Sequence, residues 1–269
     1  MLKLRYFAVV VAVFFILFPI YWQVCTALKP SSEIFSKPIT WFPESFTFEN
    51  FRAVLTSGHF ITYLKNSAFV ATGTTILCLI FGSFAGYALG RLKMKLKNVI
   101  LWIVLSVSMF PQIAIVSPLF LFLKKLGLLN TYPGLIIPYC TFALPLSIWM
   151  LTNFFRELPQ EIEEQSFIDG CSPVQSLSKV ILPLSLPGMA ATAILVFIFA
   201  WNEFLFALTF NTRQDMRTVP VGVAMFPGLY EIPWGTIFAA STIVTFPLII
   251  MVFLLQRRIV SGLTAGAIK

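Results

Sequence analysis

Acidic side chains are scarce in this sequence of 269 residues, and nearly half of them lie in one short stretch. There are eleven Asp and Glu residues in the whole chain. Five of them lie close together: Glu157, Glu161, Glu163, Glu164 and Asp169. A membrane enzyme would need clustered His, Asp or Ser groups at a membrane face, and no such cluster is visible. We therefore interpret the acidic stretch as a candidate protein-binding loop.

The other side chains that could ligate a metal do not form a site in the sequence. His59 is the only histidine, and no second histidine or cysteine lies near it. The four cysteines, Cys25, Cys78, Cys140 and Cys171, include no C-x-x-C pair. We interpret them as small buried hydrophobic residues, and we expect no metal site and no disulfide framework.

The sequence also lacks the loop that usually binds the phosphates of ATP. The pattern G-x-x-x-x-G-K-[S/T], whose backbone N–H groups cradle ATP phosphates, does not occur in the sequence. We therefore expect no cofactor in this chain, and any ATP-driven step would need the ATP and Mg²⁺ of another subunit.

The composition indicates an integral membrane protein, with many side chains in contact with lipid. The chain is 58% hydrophobic and only 11% charged, whereas soluble domains are about half apolar and about a quarter charged. Its net charge of +8 fits Lys and Arg in the loops of a membrane protein. No dense basic run interleaved with aromatic residues is present, so we expect no nucleic-acid partner.

Apolar runs of about 20 residues predict six membrane-spanning helices in an all-α integral membrane fold. The first is a retained membrane helix and not a signal peptide, because its apolar run is too long and no small-x-small cleavage site follows it. The predicted spans are Tyr6–Leu28, Asn66–Leu89, Val99–Leu123, Pro133–Phe155, Pro187–Phe210 and Gly235–Leu255.

Basic residues predict the orientation of these spans. Six spans place both termini on one side of the membrane. The loop Arg91–Lys97, which lies on that same side, carries four basic residues and no acid. Because short cytoplasmic loops are enriched in Lys and Arg, we expect cytoplasmic termini. The acidic loop 156–186 is then cytoplasmic too.

This loop has the signals of two short helices joined by a turn. Pro159 suits the first turn of a helix, and Gly170 can adopt the left-handed conformation that ends one. Ser172 is a candidate N-cap with Pro173 at the next helical position. The second helix is predicted over Val174–Ile181, ending at Pro183.

The apolar side of the second helix needs a cover. Leu177, Val180 and Ile181 form a stripe at helical spacing. The helix pair could pack under its own bundle or lie in the lipid interface. An anionic inner leaflet would repel its mostly negative charge, which favours a protein partner.

The loop resembles the EAA loop of permeases of ATP-binding-cassette (ABC) importers. In that family a Glu-Ala-Ala triplet is followed by a Gly six positions after the Glu and by an Ile-x-Leu-Pro-type ending. The four positions that match are Glu164, Gly170, Leu182 and Pro183. The chain departs from the pattern at Gln165 and Ser166, where alanines are usual, and at Val180, where isoleucine is usual.

Two further segments are similar to the carbohydrate, MalG-type branch of these permeases. The stretch 193–203 ends in Trp201-Asn202-Glu203 and is similar to the fifth span of that branch. The ending 256–269 is similar to its tail. The resemblance covers essentially the whole chain, and it implies a disaccharide or small oligosaccharide of the trehalose/maltose class as cargo.

The resemblance also implies an architecture and a set of partners. The fold would be a single six-helix permease domain of the type I importer kind over 1–269, with a cytoplasmic coupling helix pair in 156–186 and a cytoplasmic tail over 257–269. The partners would be a second homologous permease, two ATPase subunits, an extracytoplasmic sugar-binding protein and the bilayer. The residues implied to couple to the ATPase are Glu163, Glu164, Asp169, Gly170, Leu177, Leu182 and Pro183. Gly262, Thr264 and Gly266 would let the tail reach the ATPase dimer interface.

Glu203 is the acid that the predicted spans place at membrane depth. An ionisable residue there should face the bundle interior or a water-filled path. With Trp201 and Asn202 it could contact a sugar in a translocation path, or it could hold the bundle together by an internal hydrogen bond. The sequence leaves both interpretations open.

Other functions and roles remain as alternatives. An importer of another polyol-type solute, such as a glycosylglycerol or glycerol phosphate, would share these features. A secondary transporter would need more ionisable groups inside the membrane than Glu203. The loops 29–65 and 211–234 could receive the binding protein or be ordinary connections. The repeat Gly82, Gly86 and Gly90 favours close helix packing.

Overall fold

The computed structural model describes residues 2–226 and 232–264, and the side chains of residues 5–226 and 232–253. Within these ranges the chain forms helices and no β-strand. The larger helices are α1 Leu2–Ala27, α3 Glu49–Thr56, α4 Phe60–Gly90, α5 Lys97–Ser108, α6 Gln112–Lys125, α7 Pro133–Glu157, α8 Gln160–Ile168, α11 Leu186–Asn202 and α14 Trp234–Thr264. The short ones are α2 Ser31–Ile34, α9 Pro173–Ser176, α10 Leu182–Leu184, α12 Leu205–Phe210 and α13 Val219–Ala224.

These helices account for six spans by length and composition. In the described ranges, four single helices are long and apolar enough to cross a membrane: α1, α4, α7 and α14. Two bent helix pairs complete the set, α5 with α6 and the segment Pro173–Leu184 with α11. The predicted all-α six-span fold is confirmed.

The centre of the bundle is the packing of α4 against α7, with α11 lying against both. The predicted glycine stripe lies at the first of these contacts. A Cβ atom added to Gly82 or Gly86 would come within 3.1 Å of the Cβ atom of Ser147 or Leu151, respectively. At Gly90 it would come within 3.1 Å of the Thr152 carbonyl oxygen. The stripe therefore brings the two backbones together, as the packing interpretation requires.

The third predicted span is bent and not continuous. Helices α5 and α6 meet at 85° around Pro111, which has an extended ψ of 122°. Proline has no N–H for a helical hydrogen bond and disfavours the helical conformation of the residue before it. These two effects explain why the apolar run over Val99–Leu123 does not form one helix.

The fifth predicted span, Pro187–Phe210, is also wrong as a single helix. Helix α11 ends at Asn202, and α12 begins at Leu205. Between them Glu203 is extended, with ψ at 130°. The Glu203 carboxylate explains this break. It accepts hydrogen bonds from the N–H groups of Phe206 and Ala207, which in a continuous helix would donate to backbone carbonyl oxygens.

At the end of the bundle opposite the acidic loop, polar side chains fasten the segment 211–219. The amide of Asn66 donates to the carbonyl oxygens of Asp215, at 2.8 Å, and Arg217, at 2.9 Å. The Asn130 side chain accepts from the Arg213 N–H at 2.7 Å. The Arg213 guanidinium bonds the Asp215 carboxylate and holds the pKa of that carboxyl below its usual range.

The last helix carries part of the predicted tail. The backbone of α14 continues to Thr264, past the predicted end of the sixth span at Leu255. Gly262 and Thr264 therefore lie in this helix, where side chains are outside the described set, and Gly266 lies outside the described residues. Their proposed reach toward an ATPase stays a prediction.

Candidate coupling site and substrate path

The acidic loop folds as the predicted helix–turn–helix. Helix α8 begins directly after Pro159, and Gly170 has a φ of +83°. The Gly170 N–H donates to Phe167 O at 3.1 Å, and the Cys171 N–H donates to Ser166 O at 2.9 Å. This pair of bonds is the Schellman arrangement that closes a helix around a left-handed glycine.

The second helix starts as predicted but continues further than expected. The Ser172 hydroxyl accepts from the Gln175 N–H at 3.4 Å, and the Gln175 side chain accepts from the Ser172 N–H at 2.9 Å, which forms a capping box. The expected end at Pro183 is wrong. A π-helical turn over Leu177–Ile181 leads into α10, which includes Pro183. The π-helical turn, which is wider than an α-helical turn, lies just before Pro183, whose ring nitrogen has no hydrogen to donate to a helical hydrogen bond.

Two buried hydroxyl groups join the two coupling helices. The Ser166 hydroxyl lies 2.7 Å from the Glu163 carbonyl oxygen and 2.7 Å from the Ser176 hydroxyl. Both serines are buried. Ser166 is one of the departures from the family pattern, and its side chain lies inside the helix pair and not on an outer face. Gln165, the other polar departure, is exposed.

Glu163 is buried against α4 and does not face outward. Its Oε1 atom accepts from the Tyr87 hydroxyl at 2.5 Å, and its Oε2 atom accepts from Arg91 Nε at 2.8 Å. The side chains of Arg91 and Glu163 are 2% and 10% exposed. Glu163 therefore attaches the coupling helix to its own bundle.

The predicted apolar stripe also packs inward. Leu177 and Ile181 are buried in a cluster with Tyr87, Leu151 and Phe155. Leu182 is partly buried at the edge of this cluster. The interpretation in which the pair packs under its own bundle thus holds for this stripe, and Leu177 has no surface to offer a partner.

A different set of side chains on the helix pair is exposed. Ile168 is 84% exposed, Val174 is 59% exposed and Phe167 is 41% exposed. Of the predicted coupling residues, Glu164, Asp169, Gly170 and Pro183 are exposed with them. Phe167 and Ile168, at the end of α8, therefore form an exposed apolar ridge beside two carboxylates, whereas Val174 borders a groove with Ile80 and Phe84 of α4. The coupling role of these residues stays a prediction.

The second candidate region lies where the two broken spans meet. A cleft of about 450 Å³ is lined by Gln112, at the start of α6, and by Asn202, Glu203 and Phe204, at the break after α11. Asn202 is exposed, and its amide donates to the Ile198 carbonyl oxygen at 2.8 Å. The cleft thus offers side-chain oxygens and amides beside apolar walls, which is the chemistry of a polar solute path.

Trp201 and Glu203 lie deeper than a sugar-stacking role would need. Trp201 is 3% exposed and stacks on Phe197 in the main core cluster. Its indole N–H has no hydrogen-bond partner among the described residues. Glu203 is 6% exposed and accepts from the N–H groups of Phe206 and Ala207. Of the three predicted path residues, Asn202 is the most open to the cleft.

Sequence reasoning missed the partners of Glu163. Tyr87 and Arg91 lie far from the acidic loop along the chain, and only Arg91 was noticed, as part of a basic loop. A hydroxyl and a cation four residues apart at the end of α4 are a local signal for a shared partner. That signal does not identify Glu163, because the burial of this acid is not visible in the sequence. The candidate metal ligands are a separate matter. His59 lies beside Tyr63. The described residues hold no group of three or more His, Cys, Asp and Glu side chains that could bind a metal.

The apolar helices account for six spans, two of them bent, and a helix pair is attached to one end of the bundle. This combination is that of a membrane transport permease. The chain belongs to the family of binding-protein-dependent transport system inner membrane components, whose model matches residues 78–264. It is a permease subunit of an ABC importer and a multi-pass membrane protein, as the EAA-like loop and the apolar spans indicated.

Curated relatives match nearly the whole chain. The trehalose/maltose permease MalG of Thermococcus litoralis is 46% identical over 94% of this chain and 91% of its own length. The trehalose permease SugB of Mycobacterium tuberculosis is 42% identical over 94% and 92%. The sulfoquinovosyl glycerol permease SmoH of Agrobacterium fabrum is 40% identical over 94% and 89%.

A solved structure shows the same fold. A chain of a bacterial ABC transporter that imports the acidic polysaccharide alginate matches with a TM-score of 0.79 at 22% identity, over 94% of this chain and 96% of that chain. The overall helical fold of this protein is therefore also found in that transporter chain.

Proposed function

We propose that this permease moves a disaccharide or small oligosaccharide of the trehalose/maltose class into the cell. The observation that carries the proposal is the 46% identity to a trehalose/maltose permease over nearly the full length of both chains. The cleft beside Asn202 supports it, because an exposed amide next to apolar walls suits a hydroxyl-rich solute.

ATP chemistry belongs to partner chains in this proposal. The exposed ridge of Phe167 and Ile168 seats the coupling helices in a cleft of an ATPase subunit, which holds ATP and Mg²⁺. A large apolar side chain that is 84% exposed, such as Ile168, gains stability when a partner covers it. Closure of an ATPase dimer then moves the helix pair and turns the cavity from one side of the membrane to the other.

The complete importer contains this chain, a related permease, two ATPase subunits and an extracytoplasmic binding protein. Both termini and the coupling helices lie in the cytoplasm, and the segment 211–226 lies outside. The basic loop Arg91–Lys97 supports this orientation, since it lies at the same end of α4 as the coupling helices.

A second cargo class has one observation in its favour. The sulfoquinovosyl glycerol permease SmoH is 40% identical to this chain, close to the value for the trehalose permease SugB. A glycosylglycerol would present hydroxyl groups of the same kind to the cleft.

Uptake in cells that lack this chain tests the proposal. Labelled trehalose, maltose, a glycosylglycerol and an unrelated amino acid are supplied to cells complemented with wild type, Ile168→Asp or the matched control Ile168→Val. We expect trehalose or maltose uptake with wild type and Ile168→Val and little with Ile168→Asp, because a charge on the ridge opposes its burial. Unchanged uptake of both sugars in the deletion strain would refute the cargo class.

Association with the ATPase is measured separately on the same variants. Co-purification of the ATPase subunit with wild type and Ile168→Val, but not with Ile168→Asp, is the expected result. Equal recovery with all three would show that the ridge is not the docking face.

A further inference from the structure

We propose that Tyr87, Arg91 and Glu163 form a mechanical link that makes α8 move together with α4 and α7. This link rests on the proposed function of the helix pair as the ATPase contact. Glu163 is then a positioning residue inside the permease, and the exposed Glu164 beside it is the acid left to meet the partner.

One helix holds both oxygens of the Glu163 carboxylate. Tyr87, in the last turn of α4, and Arg91, the residue that caps this helix, bond Oε1 and Oε2 at 2.5 and 2.8 Å. A carboxylate held at both oxygens cannot turn about its last bond without breaking one of them. The contact therefore fixes the direction of α8 relative to α4 as well as their separation.

The Arg91 guanidinium extends the link to the end of α7. Its Nη1 atom donates to the Leu158 carbonyl oxygen at 2.7 Å, and its Nη2 atom donates to the Pro159 carbonyl oxygen at 2.9 Å. These two carbonyls lie in the connection between α7 and α8, where the helix leaves them without partners. One side chain thus joins α4, the end of α7 and α8.

Burial distinguishes this ion pair from an ordinary surface contact. The Arg91 and Glu163 side chains are 2% and 10% exposed, whereas those of the Arg213–Asp215 pair are 63% and 54% exposed. Water weakens an exposed pair and lets it open and close, but it reaches a buried pair poorly. A broken buried pair leaves an uncompensated charge, so the link resists separation under load.

The helices on the permease side of the link are themselves packed closely. The glycine stripe lets α4 and α7 approach along Gly82, Gly86 and Gly90. Helix α4 runs unbroken over its 31 residues and has no internal proline. A displacement of α8 therefore moves a packed pair of helices and is not absorbed by a bend close to the link.

The transport stoichiometry of the reconstituted importer tests this role. Wild type, Glu163→Gln and Tyr87→Phe are each assembled with the related permease, the ATPase subunits and the binding protein in liposomes. Sugar moved per ATP hydrolysed is expected to fall about tenfold in Glu163→Gln and about threefold in Tyr87→Phe, the scale of changes along a coupling network. An unchanged ratio in the assembled Glu163→Gln or Tyr87→Phe complex would overturn the proposal.

A distance measurement on the otherwise unaltered importer decides the case even if Glu163→Gln fails to assemble. Spin labels are placed at two exposed positions outside the proposed ATPase contact, Phe84 on α4 and Glu161 on α8. The distance between them is expected to stay constant when ATP binds, and to spread in Tyr87→Phe. A change of this distance on ATP binding would show that α8 moves independently of α4.

The Ile168→Asp variant separates this inference from the proposed function. If Ile168→Asp keeps its ATPase subunits, the docking face has been assigned wrongly, whatever the Glu163 variants do. If Ile168→Asp loses them while Glu163→Gln retains them and its normal stoichiometry, the docking face stands and the link fails.

Discussion

The carboxylate of Glu203 accepts a hydrogen bond from the backbone N–H of Phe206 at 2.8 Å, and a second from that of Ala207 at 3.1 Å. Both donors lie in the first turn of α12, in residues that are fully buried. A buried acid thus stabilises the point at which the fifth span is interrupted. The interruption in turn exposes Asn202 at the cleft.

Removal of this carboxylate should destabilise the break. In Glu203→Leu the N–H groups of Phe206 and Ala207 lose their acceptors, and we expect a loss of about 2–6 kcal/mol, since each of these two unsatisfied buried donors costs about 1–3 kcal/mol. Glu203→Gln keeps one acceptor oxygen and should lose about half as much. Thermal unfolding in detergent measures the difference. Thr209→Val, which removes only a bond to the Leu205 carbonyl oxygen, is the control, and an equal effect would refute the assignment.

The turn between the coupling helices should tolerate only residues that accept a left-handed backbone. At Gly170, with φ at +83°, a Cβ atom would meet nothing within 4 Å, so the cost of a substitution is conformational and not steric. Gly170→Val should strain the turn by about 1–2 kcal/mol or more and lower uptake, whereas Gly170→Asn should remain close to wild type. Uptake is normalised to the amount of assembled complex. Normal transport by an assembled Gly170→Val importer would contradict the coupling role of this turn.

The segment 211–219 should loosen when its anchor on α4 is removed. Asn66→Leu deprives the carbonyl oxygens of Asp215 and Arg217 of their donor. We expect trypsin to cleave after Arg213 and Arg217 several times faster, because proteolysis follows local opening. Thr75→Val, which removes one bond inside the same helix, is the control. Equal cleavage rates in the two variants would show that Asn66 is not the anchor.

Two glycines in spans should respond differently to alanine. A Cβ atom at Gly188 would lie 2.4 Å from the ring of Phe154, and Gly188→Ala should cost about 1–3 kcal/mol through overpacking. At Gly73 the nearest atom is the flexible Cδ1 of Ile136, at 2.9 Å, so Gly73→Ala should be close to neutral. Unfolding midpoints in detergent compare the two. A larger loss in Gly73→Ala than in Gly188→Ala would contradict the packing.

The elements that the sequence predicted well are those with local causes. Hydropathy located the spans because a bilayer imposes the same requirement on each of them. Gly170 and Ser172 predicted the turn and the cap because both act within a few residues. The interruption of the third span at Pro111 also has a local cause, since a proline in an apolar run indicates a kink. The break at Glu203 was not predicted, because an apolar run without proline looks the same whether the helix is straight or interrupted.

The candidate site was predicted only in part, because burial depends on distant partners. Glu163 and Glu164 are neighbours of the same type, yet one is buried and the other exposed. What separates them is the presence of Tyr87 and Arg91, more than 70 positions earlier in the chain. Leu177 was expected at a partner surface and packs in the core for the same reason.

Helix α4 fastens a different segment at each end, through Asn66 at one and Arg91 at the other. The two residues are separated by about 38 Å of helix at 1.5 Å per residue. Helix α4 is one unbroken helix without an internal proline, and its Gly82 packs closely on α7. If α4 moves as a rigid body, the segments attached to its two ends move together. The order of the steps in a transport cycle is then determined by other helices.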